Sequence, residues 1–212
     1  MYELYGSRGT GSAAIEAALV LAGLPHRLVE ATSWQPSPGL EALSRINPLQ
    51  QIPTLRLPDG RALSESAAIL IHLGLDAAPG SGLLPAEAGD RAQALSGLVY
   101  LAANCYAAIG VIDYPQRWCA DAEGDAAMQE RIRQGTRARL HRLWELFADQ
   151  YGSACAGAGR LSALALLAAV VSKWSGSRAH LQAQRPEFFA ALRATEDDPA
   201  VRAVFARHWS PA

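Results

Sequence analysis

The chain has 212 residues, half of them apolar, and 19 Lys and Arg against 20 Asp and Glu leave a net charge of −1. That length suits one large or two small globular domains with a sizeable core, and the charge balance gives no reason to expect nucleic acid or an anionic membrane as a main partner. Cys105, Cys119 and Cys155 form no CxxC pair and read as reduced thiols, not a disulfide framework. The opening MYELYGS lacks the basic-then-apolar pattern of a signal peptide. The longest unbroken apolar run, Ala163 to Val171, falls well short of the ~20 residues of a membrane span, so a cytoplasmic protein is expected.

Residues 2–5 alternate and read as a strand. Residues 12–22 carry a helical apolar face, with Ser12 as N-cap and Gly23 as stop. HRLVE (26–30) is a second strand, which makes a β-α-β opening with a parallel pair and a right-handed crossover. A loop rich in Pro and Ser (32–38) leads to a short helix around 39–46. PTLRL (53–57) and RALS (61–64), joined by Pro58-Asp59-Gly60, read as a hairpin, and residues 65–76 as a third amphipathic helix. The order β-α-β-α-β-β-α is that of an α/β thioredoxin-like domain, set at residues 1–77. Residues 78–89, rich in Pro, Gly and small side chains, read as a linker. From residue 90 to 212 strand signals vanish and helical patterns cover about 90–111, 125–150, 161–175, 186–194 and 198–207, an all-α domain.

Pro53 stands at the head of the third strand, a position a sheet admits because proline cannot donate to the ladder. An Ile-Pro bond has lost most of its trans preference, so its context can hold it cis and turn the backbone of Ile52 outward to pair with an extended peptide. Twelve residues on, Ser64-Glu65-Ser66 opens the third helix. A helix start offers free N–H groups and partial positive charge to a carboxylate; Ser66 adds a hydroxyl and Glu65 a counter-charge for an ammonium. Together they suit the zwitterionic end of an amino acid.

NPxxxIPTL…LPDGRALSESAAILIHL, together with LYGS…EAALVLAGLPHRLVE, resembles the cytosolic glutathione transferases, bacterial members above all, and the likeness runs on into the helical half. The resemblance implies a thioredoxin-like glutathione domain followed by a helical domain, in a cytoplasmic homodimer. It implies that Ile52, ahead of cis-Pro53, pairs with the cysteinyl part of glutathione, that Glu65 and Ser66 hold its γ-glutamyl end, and that Gln51 reaches its glycyl carboxylate. In the family the first βα turn, here GSRGTGS (6–12), carries the Tyr, Ser or Cys that acts on the thiol. The matching positions fall on Gly9 or Gly11, which leaves Thr10, Ser7 and Ser12 as the turn's hydroxyls, with Thr10 first and Ser12 second as the group able to stabilise a thiolate; Tyr5 reads as core. The resemblance implies that the helix 97–118 supplies an acceptor pocket, from Asn104, Tyr106 and Tyr114. At residue 162 the family's Ser-x-x-Asp box keeps Ser162 but has Ala165 in place of the acid.

The resemblance implies an enzyme directing glutathione at an electrophile or a disulfide, with glutathione as co-substrate and no metal. A non-catalytic glutathione- or protein-binding module with the same fold is the alternative. Gly9-x-Gly11-x-x-Ala14 after a strand, with Glu30 ending the next, also matches much of a dinucleotide fingerprint. The hairpin and helices that follow are not further parallel βα units, which argues against it. The scattered histidines show no metal-ligand spacing.

Overall fold

The computed structural model describes residues 1–32, 36–156 and 161–209. Strands β1 (Tyr2–Gly6) and β2 (His26–Glu30) run parallel, Tyr2 opposite His26 and Gly6 opposite Glu30, with helix α1 (Ser12–Leu21) crossing between them. Helix α2 (Pro38–Ile46) leads to β3 (Thr54–Arg56), β4 (Ala62–Ser64) and α3 (Ser66–His72), which runs on as a π-helical turn to Ala77. β3 is antiparallel to β1 and to β4, so the sheet order is β2-β1-β3-β4. Successive strand residues face opposite sides. Leu4 and Leu55 therefore join Ile15, Leu19, Ile69 and Leu70 in the main core, while Tyr5 packs with Ala31 and Leu43 on the α2 side. Tyr5 is core, as expected. Residues 33–35 of the loop expected at 32–38 lie outside the described residues.

Glycine at position 39 is a packing requirement. A Cβ there would lie 1.8 Å from the Glu30 carbonyl oxygen, and backbone cannot swing aside as a side chain can. Gly39→Ala is expected to push α2 off the end of β2 and cost about 1–3 kcal/mol in urea denaturation. Gly135→Ala, inside a helix with nothing within 4 Å, should instead gain about 0.5–1 kcal/mol.

The second half is helical: α4 (Ala88–Tyr100), a π-helical stretch Leu101–Tyr106, α5 (Ala107–Asp113), α6 (Ala126–Cys155), α7 (Ala163–Val171), α8 (Ser177–Gln184), α9 (Pro186–Asp197) and α10 (Pro199–His208). α8 was not expected from the sequence, because SRAHLQAQ carries too little apolar periodicity and buries only Ser177 and Leu181. The rod Ala88–Asp113 is 26 residues long and apolar enough by composition to cross a bilayer, which corrects the count based on unbroken runs. In this fold it is a core helix, with Ala94, Leu98, Leu101, Cys105, Ile109 and Ile112 buried. All nine residues of α7 are buried, and Ser162 caps it by accepting the Ala165 N–H at 3.1 Å. α10 returns to the sheet half. The carboxylate of Glu16 in α1, 1% exposed, takes His208 Nε2 at 2.6 Å and Arg207 Nε at 3.0 Å.

Candidate functional site

The segment entering β3 is held by a buried polar network. Asn47 and Thr54 are buried at 5% and 0% exposure. Asn47 Nδ2 donates to Thr54 Oγ1 at 2.9 Å and to the Gln51 carbonyl at 3.1 Å, and Thr54 Oγ1 donates to the same carbonyl at 2.8 Å. A buried amide and hydroxyl satisfied in this way fix one backbone path. Gln51 is thus pinned by its carbonyl while its side chain is exposed. The Ile52–Pro53 bond that follows is cis. Among the described residues no other backbone group bonds to Ile52, whose side chain packs on the Tyr5 cluster.

At the entry of α3 the chain breaks a local rule. Glu65 has φ 68° and ψ 113° and makes no capping bond, a conformation that costs a non-glycine residue about 1–3 kcal/mol. It is exposed and, among the described residues, its carboxylate meets no cation. Ser66 beside it is 4% exposed and is the first residue of the helix.

Tyr106 reaches this region from the helical half. A Cβ on Gly11 would lie 2.5 Å from Tyr106 Oη and 3.5 Å from Pro53 Cδ, so phenol, turn and proline meet at one point. The Tyr106 ring stacks on Trp174, centroids 5.6 Å apart and 11° from parallel. Burial pushes the phenol up to about 12; the Gly11 backbone N–H opposes that rise, and the charges of Asp113 and Glu65 add to it. The sequence placed Tyr106 with the acceptor; the structure brings it against Gly11 and Pro53. Gly11 was legible as a departure from the family pattern, but the phenol filling its space was not.

The two hydroxyls expected to serve sulfur are engaged within their own turn. Thr10 Oγ1 donates to the Ser7 carbonyl at 2.8 Å, Ser12 Oγ donates to the same oxygen at 3.1 Å, and the hydroxyls lie 2.8 Å apart. Ser12 is 1% exposed. The N-cap of α1 is Gly11, not Ser12: the Ser12 hydroxyl faces back to Ser7, and a Cβ at Gly6 would lie 2.5 Å from it.

Asn104 Nδ2 donates to the Tyr100 carbonyl of its own helix at 3.2 Å, and Tyr114, 38% exposed, carries the Arg117 guanidinium 4.1 Å over its ring. A cavity of about 390 Å³ lies elsewhere, between the ends of β1 and β2 and α10, lined by Gly6, Ser7, Arg8, Ser12, Leu28, Glu30, Arg207 and His208. Among the described residues no group of three or more metal-ligating side chains occurs.

The family model described as the N-terminal domain of glutathione S-transferase matches residues 12–75. That stretch is therefore similar to a glutathione S-transferase N-terminal domain. The transferase fold spans the rest as well. A glutathione transferase homologue from Sulfitobacter, solved with bound glutathione, superposes with a TM-score of 0.78 at 24% identity over 96% of both chains. The glutathione S-transferase of Xylella fastidiosa does so with a TM-score of 0.79 at 20% identity over 96% of this chain and 97% of that one. These likenesses are of fold. In sequence, the uncharacterized GST-like protein YncG of Escherichia coli (strain K12) is 36% identical over 123 residues, 58% of this chain and 59% of that relative's length.

Within the transferase fold, Asn47 and Thr54 are the positioning residues that sequence reasoning missed. Their only signal was their place on either side of the Pro53 loop.

Proposed function

We propose that this chain is a glutathione transferase-type enzyme that holds glutathione along Gln51, Ile52, Pro53, Glu65 and Ser66 and directs its thiolate at an electrophile or a disulfide. Ile52 offers its backbone to the cysteinyl unit, Glu65 its carboxylate to the γ-glutamyl ammonium, and Ser66 with the start of α3 its donors to the γ-glutamyl carboxylate. Gln51 reaches toward the glycyl carboxylate. Residues 1–77 form the glutathione domain, 78–89 the linker and 90–212 the helical domain, in a cytoplasmic homodimer.

The observation that carries this reading is Glu65: an exposed carboxylate, without an ion-pair partner among the described residues, held at positive φ beside a buried serine. Strained backbone is retained where a surrounding site requires it. Calorimetric titration with glutathione is the test. One saturable site per chain is expected, with N-acetylglutathione, which lacks the ammonium, bound at least tenfold more weakly. Absence of saturable binding overturns the reading.

One observation favours the non-catalytic alternative: Thr10 and Ser12, the two hydroxyls expected to serve sulfur, both spend their contacts on the Ser7 carbonyl. A bound thiol with an unshifted pKa would establish that alternative.

A further inference from the structure

The cavity of about 390 Å³ between the ends of β1 and β2 and α10 has the volume of a small-molecule site, and holding glutathione along Pro53, Glu65 and Ser66 makes no use of it. We infer that it seats a carboxylate of the acceptor, so that the electrophile this chain takes is an organic acid, held by Arg207, Arg8 and His208. The inference rests on the glutathione reading proposed above. The turn at residues 7–12 is the wall between the two places. Ser7 and Ser12 line the cavity, while a Cβ on Gly11 would lie 3.5 Å from Pro53 Cδ.

Arg207 presents an unfilled fork. Of its N–H donors, Nε and one on Nη2 go to Glu16, and one on Nη1 goes to the Ala203 carbonyl at 3.0 Å. One donor is left on each terminal nitrogen, the parallel pair that grips a carboxylate bidentately. Its side chain is 53% exposed, so the fork is open to a ligand. Arg8, exposed on the same cavity, makes no ion pair among the described residues. His208 adds an independent sign of a missing partner. Its side chain is only 6% exposed, and Nε2 stands 2.6 Å from Glu16 Oε2. An ionised carboxylate can only accept, so Nε2 carries the hydrogen and Nδ1 is the polar atom left over. That Nδ1 is buried with no partner among the described residues, a state that is costly until something bonds it. With a proton from solvent on Nδ1, the imidazolium donates to Glu16 on one edge and to the ligand's carboxylate on the other. Leu28, 50% exposed, offers an apolar wall. Glu30, exposed at the end of β2, repels a second anionic group. The lining therefore fits a monocarboxylate with an apolar body.

In the reaction the thiol's proton leaves to water, a sulfur electron pair forms the S–C bond, and the leaving group departs as an anion with the pair of the bond it breaks. The acceptor's carboxylate stays unchanged. It anchors the molecule across the turn from the sulfur, so that binding at a remote group orients the reacting carbon. Glu16 is a positioning residue here, since it holds both Arg207 and His208 from α1. The end of α10 also lies over the turn, where a Cβ on Gly9 would come 3.7 Å from Trp209 Nε1.

The test is calorimetric titration with inert adducts that share one shape and differ in charge: S-(4-carboxybenzyl)glutathione and S-(4-carbamoylbenzyl)glutathione, with S-methylglutathione to read the glutathione site alone. Wild type should bind the carboxylate at least about tenfold more tightly than the carboxamide, as expected for a charged group with dedicated partners. Arg207→Lys keeps a cation for Glu16 but removes the fork, and should cut that preference to about twofold or less while leaving S-methylglutathione affinity unchanged. Loss of structure would not separate the ligands in this way. Arg8→Gln, at an exposed side chain without an ion pair, is the second arm should the Lys variant fail to fold, and should cut the preference likewise. A preference that survives in either folded variant overturns the inference. Equal binding of the two adducts by wild type that still binds S-methylglutathione overturns the inference alone. No binding of any of the three overturns the glutathione site as well.

Discussion

Glu65→Ala is expected to weaken glutathione binding by about thirtyfold or more while leaving the fold intact. Truncating one partner of a hydrogen-bonded charge pair costs about 2–5 kcal/mol, and each 1.4 kcal/mol is tenfold in affinity. The protein itself should scarcely notice, because the side chain is exposed and makes no capping bond; such substitutions fall within about ±0.5 kcal/mol. Glu65→Gly sharpens the test. Glycine adopts φ 68° without the penalty that burdens glutamate, so this variant should be as stable as wild type or more so, yet bind glutathione no better than the alanine variant. Calorimetry and urea denaturation on the three proteins separate the two effects. Unchanged glutathione affinity in both variants would remove Glu65 from the site. A large fall in stability in both would mean that its strained backbone serves the fold.

Most of the architecture is readable before any coordinates. Alternation at 2–5, the strand run at 26–30, the Asp59-Gly60 turn and the apolar faces of 12–22 and 65–76 are local patterns, and they specify the four strands and two of the three helices that the sheet half contains. Pro53, Glu65 and Ser66 were legible because their chemistry is unusual for their local structure. What stayed hidden depends on distant contacts. Ser12 looks like a cap in sequence, but the turn places Gly11 there and sends the serine hydroxyl to Ser7. Helix α8 exists because its neighbours hold it: Arg178 and His180 bond to Glu196 and Glu145 from other helices, and no apolar stripe announces it. The meeting of Tyr106 with Gly11 joins residues nearly a hundred positions apart, and no spacing rule encodes such a contact.

Glu196 is hidden in the same way, in the run Thr195-Glu196-Asp197-Asp198 where three acids look alike, and its replacement by glutamine should cost the most stability. Its carboxylate, 9% exposed, receives Lys173 at 2.5 Å, Arg178 at 2.8 Å and Arg193 at 3.1 Å. Arg178 also donates to Ser172 Oγ and to the Ala169 carbonyl, both at 2.7 Å, and Lys173 lies over the rings of Phe205 and Trp209. One anion therefore ties the end of α7 to α8, α9 and the C-terminal helix. Burial pushes Arg178 below its ordinary value despite Glu196, so without the anion a poorly solvated guanidinium and an ammonium face each other. Breaking a buried pair in this way costs about 3–5 kcal/mol, a large share of the ~5–15 kcal/mol typical of a folded domain. Arg193→Gln, at a side chain 56% exposed, should cost about 1 kcal/mol or less. Burial raises the Glu196 pKa, but Lys173 and Arg178 outweigh it, so the folded value lies below the ordinary 4.5. Its contribution is then fully present above pH 4.5 and fades as pH falls through the lower folded value. Urea denaturation across pH 3–7 should show Glu196→Gln several kcal/mol less stable at neutral pH, with the gap to wild type narrowing on the acid side. A gap that is small at neutral pH, or constant across the range, would mean that the three cations are solvated and that the carboxylate does not hold these helices together.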